Sequence, residues 1–262
     1  MVYFCPMTHL HRPLYLKKSL GQHFLKDELV CRRITDSLLQ FPCKQLLEIG
    51  PGAGALTKYL MFIKGVYFKA VEIDREKVVY LKNLYPPIKD RIIESDFLAM
   101  EKPFAGPFTI VGNFPYNIST EILFRILEWR EYVERVTGMF QKEVAQRIAA
   151  SAGNKIYGVT SVLLQAFFEV EYLFEVSEQA FNPPPKVKSA VIRLTPLRNP
   201  PSLRSEKLFF LLVKTAFNQR RKTLRNAVKS LFTEEFLRDS LFDKRAEQLT
   251  ISQFAELTWN MK

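Results

Sequence analysis

The chain has 262 residues, 47% of them hydrophobic and 25% charged, enough to bury a full core and outside the composition of disordered chains. Lysine and arginine number 38 against 27 acidic residues, a formal net charge of +11, which favours a polyanionic partner over an acidic one. The longest apolar run, "YGVTSVLLQAFFEVEYLF", is interrupted by Gln165, Glu169 and Glu171 and so argues against a membrane span, while Cys5, Cys31 and Cys43 have no C-x-x-C spacing, which points to no metal site and to a reducing, cytoplasmic setting.

In chain order, residues 1–16 form a basic leader with His9 and His11, read as an N-terminal extension ahead of the fold. Strand-like runs then alternate with helical periodicity. "QLLEIG" is a strand, "ALTKYLMFI" a helix, "VYFKAVEID" a strand and "REKVVYLKNLY" a helix. "RIIESDFL" and "FTIVGNFP" follow as strands, "TEILFRILEW" as a helix, "VERVTGMFQ" as a strand and "KEVAQRIAA" as a helix. This alternation predicts an α/β fold with a parallel sheet, helices on both faces and a ligand site at the carboxyl ends of the strands. "EVEYLFEVS" and "SAVIRLTPL" are two further strands joined by "EQAFNPPPKVK". That connection has no helical pattern, so the last pair is expected to be antiparallel. "TPLRNPPSLRSE" reads as a linker, and "KLFFLLVKTAFNQRRKTLRNAVKSLF", "EEFLRDSLF" and "ISQFAELTWNMK" as helices. The division expected is therefore a catalytic domain over 17–198 and a small helical domain over 199–262.

"LLEIGPGAGALT" runs from a strand through Gly50, Gly52 and Gly54 into a helix. Such a turn lets a ligand approach the backbone closely, but many nucleotide-binding folds share it. Glu48 narrows the choice, because a carboxylate there repels a pyrophosphate and suits an ammonium, favouring S-adenosylmethionine over NAD. Glu72, at the end of the second strand, is placed to accept from both ribose hydroxyls, with Asp74 as its rival or as a helix cap. In "ESDFL", Asp96 can accept from an adenine amine and Phe97 can cover the ring.

"IVGNFPYNIST" ends an apolar strand on an asparagine, a proline and an aromatic ring. Read alone, it is a strand-ending turn. Read beside the acids, it is a corner that holds an exocyclic amine. The Asn113 side-chain oxygen and the Phe114 carbonyl would accept the two N–H groups and direct the lone pair toward a methyl donor. Pro115 biases Phe114 to extended geometry, and Tyr116 can stack on the base.

"KKSLGQHFLKD", "LEIGPGAGALT", "VEID", "ESDFL", "GNFPYNIST", "QKEVAQRI", "FNPPPKVKSAV" and "NQRRKTLRN" occur in this order from Lys17 to Asn226. As a set they resemble the ribosomal RNA adenine N6-dimethyltransferases, most closely the bacterial small-subunit branch. The resemblance implies a Rossmann-like S-adenosylmethionine-dependent methyltransferase domain with a mostly parallel seven-stranded sheet and an antiparallel last strand, followed by a small all-helical domain that docks on the ribosome. It implies dimethylation of two adjacent adenosines in the 3′-terminal hairpin loop of small-subunit rRNA, on the immature 30S subunit, by a monomer. By the same resemblance His23, Leu25, Gly50, Glu72, Asp96 and Asn113 meet the cofactor, and Gln22, Glu48, Gly52 and Phe97 are expected beside them. Tyr116 and Phe181 would sandwich the flipped adenine. Lys186 and Lys188 would lie near RNA phosphate, as would the basic run of Arg220, Arg221, Lys222 and Arg225.

Three other readings compete. A large-subunit rRNA adenine methyltransferase of the macrolide-resistance type shares the methyltransferase motifs, but "NPPPKVKSAV" and "NQRRKTLRN" favour the small-subunit branch. A non-catalytic rRNA-binding assembly factor is opposed by the intact acids and the intact Asn113-to-Tyr116 corner. A dehydrogenase is opposed by Glu48.

Overall fold

The computed structural model describes residues 23–262. Its strands are β1 (Phe24–Leu25), β2 (Gln45–Ile49), β3 (Tyr67–Glu72), β4 (Ile92–Glu94), β5 (Phe108–Asn113), β6 (Val133–Gln141), β7 (Phe168–Val176), β8 (Phe181–Asn182) and β9 (Ser189–Pro196). The α-helices are α1 (Glu28–Leu39), α2 (Thr57–Leu60), α3 (Arg75–Leu84), α4 (Ser119–Glu128), α5 (Lys142–Ile148), α6 (Val159–Gln165), α7 (Glu206–Asn218), α8 (Leu224–Ala227) and α9 (Ile251–Leu257). None is long and apolar enough to cross a membrane.

Seven strands form one sheet in the order β4-β3-β2-β5-β6-β9-β7. β9 runs antiparallel to both neighbours, while β4, β3, β2, β5 and β6 are parallel to one another. Central strands covered on both faces must be apolar on both, and Leu46, Leu47, Ile49, Ile110 and Val111 are all buried. The chain builds outward through β3 and β4, then crosses back to lay β5 on the other side of β2. That reversal of strand order opens a crevice between β2 and β5 at their carboxyl ends.

A second, two-stranded sheet pairs Phe24 with Asn182 and Leu25 with Phe181. It fastens the segment before α1 to the turn between β7 and β9, and Lys26 N–H adds a bond to the Ala180 carbonyl at 2.8 Å. Asp27 then caps α1 by accepting from the Leu29 and Val30 amides at 2.9 and 3.2 Å.

Two segments depart from the sequence expectation. The helix expected over "ALTKYLMFI" is only the single turn of α2. The long helix expected from Lys207 to Phe232 breaks after Asn218, and α8 starts afresh at Leu224. Packing decides this break: Leu224 and Val228 are fully buried, and the Leu224 amide bonds to the Lys244 carbonyl at 2.7 Å. The "TPLRNPPSLRSE" stretch, expected as a linker, is tied down. Arg204 donates from its amide to Thr258 Oγ1 at 3.1 Å and from its guanidinium to the Met261 carbonyl at 2.6 Å. One continuous apolar core joins Phe209, Leu212 and Phe254 of the C-terminal helices to Leu163, Phe168 and Leu194 beside and within the sheet.

Arg193 on β9 holds α1 to the sheet, donating to the Ser37 carbonyl at 3.0 Å, Gln40 Oε1 at 2.7 Å and Glu171 Oε2 at 3.0 Å. It is only 3% exposed, and its loss strands the buried Ser37 carbonyl and unpins the end of α1. Arg193→Leu is expected to lower unfolding free energy by about 2–3 kcal/mol in urea titrations, with cofactor affinity unchanged. A variant as stable as the wild type would contradict this.

Candidate active site at the carboxyl ends of the strands

A cavity of about 250 Å³ opens at the β2–β5 crevice. Its floor is the glycine turn after β2. Gly50 and Gly52 have φ of 66° and 59°, the left-handed region that side chains avoid. The turn thereby exposes its backbone to the cavity, and the Gly52 amide donates to Glu72 Oε2 at 3.1 Å. Glu72 Oε1 accepts from the Asp74 amide at 3.0 Å. Each carboxylate oxygen keeps a further lone pair, and Glu72 lines the cavity. Asp74 instead caps α3 through the Glu76 amide at 3.1 Å and does not line the cavity. Asp96 Oδ1 accepts from the Leu98 amide at 2.9 Å, and no donor among the described residues reaches its other oxygen.

Glu48 is 2% exposed and accepts from Thr57 Oγ1 at 2.6 Å. Burial pushes its pKa up to about 8, with Glu72 adding to the rise and the Thr57 hydroxyl opposing it. The sequence reading took Glu48 as a standing charge. Burial in the fold instead favours its neutral form at pH 7.

The corner after β5 forms the opposite wall. Asn113 Nδ2 donates to the His23 carbonyl at 3.2 Å, which leaves the side-chain oxygen as an acceptor at the cavity. The Phe114 amide donates to the Met139 carbonyl at 3.2 Å, and no donor among the described residues reaches the Phe114 carbonyl. Pro115 has φ −56° and ψ 125° and starts the short turn carrying Tyr116. The Tyr116 hydroxyl meets Ser189 Oγ. Burial raises its pKa, with Ser189 opposing, so Tyr116 stays a neutral phenol. The His23 ring lies beside the Tyr116 ring, centroids 5.9 Å apart and planes 28° apart, and its Nδ1–H donates to the Pro183 carbonyl at 2.9 Å.

The structure thus brings His23, Leu25, Glu48, Gly50, Gly52, Glu72, Asp96, Asn113, Phe114 and Tyr116 around one cavity. Gln22 lies outside the described residues. Two aromatic expectations are corrected. Phe181 is fully buried in the core with Leu25, Val111 and Val191, because its strand pairs with β1 and turns the ring inward; it offers no face to a base. Phe97 packs edge-on against Trp129, centroids 5.1 Å apart, and its neighbour Leu98 lines the cavity instead.

The basic positions divide. Lys186, Lys188, Arg221 and Lys222 are exposed. Arg220 donates to the Lys155 and Tyr157 carbonyls at 2.7 and 3.1 Å. Arg225 donates to the Leu237 carbonyl at 2.8 Å and pairs with Asp243 at 2.7 Å. Those two arginines serve the fold at least in part.

Sequence reasoning missed Thr57, Ile73, Lys77 and Ser189. Ile73 and Lys77 line the cavity. Ile73 stands between two acids that drew attention, and Ser189 closes the "NPPPKVKS" run. Lys77, 1% exposed with Nζ 5.0 Å from the Phe24 ring centroid, carries no local signal, nor does the nine-residue reach from Thr57 back to Glu48.

The family described as Ribosomal RNA adenine dimethylase matches residues 14–260. Ribosomal RNA small subunit methyltransferase A of Cytophaga hutchinsonii is 53% identical over 246 residues, covering 92% of this chain and 95% of that protein. The protein of the same name from Bacteroides thetaiotaomicron is also 53% identical, covering 92% of each chain. Among solved structures, a dimethyladenosine transferase from Plasmodium falciparum superposes with a TM-score of 0.75 at 23% identity, over 91% of this chain and 99% of that one. The 23S rRNA methyltransferase ErmE gives 0.68 at 25% identity, over 89% and 99%. By sequence over nearly its whole length, and with a fold to match, this chain belongs to the ribosomal RNA adenine dimethylase family.

Proposed function

We propose that the protein dimethylates N6 of two adjacent adenosines in the 3′-terminal hairpin loop of small-subunit rRNA, using S-adenosylmethionine, on immature 30S subunits in the cytoplasm. The observation that carries this reading is a pair of acceptors, Asn113 Oδ1 and the Phe114 carbonyl, that no donor among the described residues reaches, set at one cavity with the carboxyl groups of Glu48, Glu72 and Asp96. One chain supplies every residue named, so a monomer suffices.

The residues present fit the cofactor. Glu48 suits its ammonium, the open backbone at Gly50 and Gly52 its amino-acid end, Glu72 its ribose hydroxyls and Asp96 its adenine amine. Ile73, Leu98 and Ile118 supply apolar wall. S-adenosylmethionine, when bound, supplies an electrophilic methyl group on a sulfonium.

The chain's own work is on the adenine. An exocyclic amine is a weak nucleophile because its lone pair is delocalised into the ring. Asn113 Oδ1 and the Phe114 carbonyl accept from its N–H groups, which withdraws the lone pair from conjugation, localises it on nitrogen and aims it at the methyl donor. Tyr116, with its hydroxyl fixed by Ser189, offers a ring for stacking the flipped base. The methylated amine is acidic enough to lose its proton to water, and no side chain need act as base. Lys186 and Lys188 sit on the strand turn that leads into Ser189, where they can meet phosphate; Arg221 and Lys222 extend the basic surface.

A large-subunit target is the second reading, since the fold is shared with ErmE. The 53% identity to small-subunit enzymes against 25% to ErmE favours the first. Mapping N6-dimethyladenosine in cells lacking the gene is expected to show loss from small-subunit rRNA; loss from the large subunit alone would reverse the assignment. Asn113→Ala is expected to lower kcat by about 10²- to 10³-fold on immature small subunits with little change in cofactor affinity, and equal activity would refute the amine-holding role.

Glu48 carries a pH signature. The unfolded chain ionises it near 4.5, whereas the folded protein keeps it protonated to about 8. Between those values the native state binds the extra proton, so wild-type stability declines as pH rises through the window. Glu48→Gln should flatten that part of the melting-temperature profile. Cofactor binding at pH 7 should release a proton from the wild type and none from Glu48→Gln, read by calorimetry in buffers of different ionisation heat; identical proton release in both would contradict the assignment.

A further inference from the structure

Gly112 and Gly138 face each other across β5 and β6, one rung before the Asn113–Met139 pair. Neither adopts a positive φ, so backbone conformation does not demand glycine at either place. Room does. A Cβ on Gly138 would stand 2.5 Å from Phe114 Cε2 and 2.7 Å from Phe140 Cε2. A Cβ on Gly112 would stand 2.6 Å from Phe114 Cε1 and 2.6 Å from the Ile49 carbonyl oxygen. All four distances are too short for any real side chain. The two edges of the Phe114 ring therefore rest over two glycines on adjacent strands, with the Phe140 ring packed edge-on at 5.0 Å.

The ring is 1% exposed, and the Phe114 amide is tied to the Met139 carbonyl at 3.2 Å. Ring and amide together fix the Phe114 Cα, and Pro115 confines the rotation about ψ that remains to extended values, so the Phe114 carbonyl is set as well. We propose that Gly112 and Gly138 are positioning residues for methyl transfer: the slot they leave seats the Phe114 ring and thereby sets its carbonyl as the second acceptor for the substrate amine. This rests on the acceptor role given to that carbonyl above. Glycine pair and phenylalanine form one packing unit, and an enlargement on one side requires a reduction on the other.

Gly138→Ala is the sharper probe, because its new methyl meets side chains, whereas at Gly112 it also meets a main-chain oxygen. On immature small subunits its kcat is expected to fall about 10- to 100-fold while the affinity for S-adenosylmethionine, measured by calorimetry, is retained. Adding Phe114→Leu shortens the seated side chain, leaves the main-chain carbonyl in place and should recover most of the lost kcat. Adding Phe140→Leu instead relieves the other contact and should raise the melting temperature without recovering kcat. A folded Gly138→Ala enzyme with wild-type kcat overturns the proposal, and so does equal recovery by Phe140→Leu. Should Gly138→Ala fail to fold, Phe114→Ala empties the slot from the other side; lowered kcat with intact cofactor binding supports the proposal, and wild-type kcat overturns it. Asn113→Ala keeps the two failures apart: full activity there removes the acceptor role itself, whereas a steep loss there beside a fully active Gly138→Ala removes only the slot.

Discussion

The antiparallel pairing of Phe24–Leu25 with Phe181–Asn182 is the contact on which the site depends. It joins two segments more than 150 residues apart and sets His23 at the mouth of the β2–β5 crevice. The His23 carbonyl then takes the Asn113 amide nitrogen, and that single bond decides which end of the amide faces the cavity. The His23 ring, held by the Pro183 carbonyl, comes to rest beside Tyr116. Without this small sheet the corner after β5 would keep its residues and lose its orientation.

Around that corner the site separates two electrostatic tasks. On the β2–β4 side, three acids stand at successive strand ends, and each is restrained by the backbone or by a hydroxyl: Glu48 by Thr57, Glu72 by two amides and Asp96 by one. Fixed acceptors cost no reorganisation when a ligand with matching donors arrives. On the β5 side the acceptors are neutral, an amide oxygen and a carbonyl, which suits a neutral amine that must keep its lone pair available. Glu48 stands between the two conditions, since burial favours its neutral form.

Much of this was legible in the residues. The βα alternation and the antiparallel last strand follow from periodicity and from the helix-free "EQAFNPPPKVK" connection, and the positions of Glu72, Asp96 and Asn113 at strand ends follow from where apolar runs stop. The errors share a cause. Phe97 and Phe181 were read as faces for a ligand, yet an aromatic residue beside a site is equally suited to the core: the pairing of β8 with β1 turns Phe181 inward, and in the turn after β4 Phe97 packs on Trp129. Arg220 and Arg225 of the basic run also bond to carbonyls of other segments, a second role that the run itself does not signal. Helix α7 was extended too far because its period continues past Asn218, while the burial demanded by Leu224 and Val228 is a tertiary matter.

Local chemistry therefore determined most of the element types, the placing of a site at strand carboxyl ends, and the kinds of group gathered there, because hydrophobic period and strand-end polarity are properties of neighbouring residues. The switch point between β2 and β5 came from the strand order of the folded sheet. Tertiary structure alone decided which atoms of those groups point into the cavity. The ionisation of Glu48, the outward oxygen of Asn113, the inward ring of Phe181 and the seat of Phe114 over Gly112 and Gly138 all depend on contacts between segments far apart in the chain. Orientation and burial are set by such contacts, and no local pattern of residues encodes them.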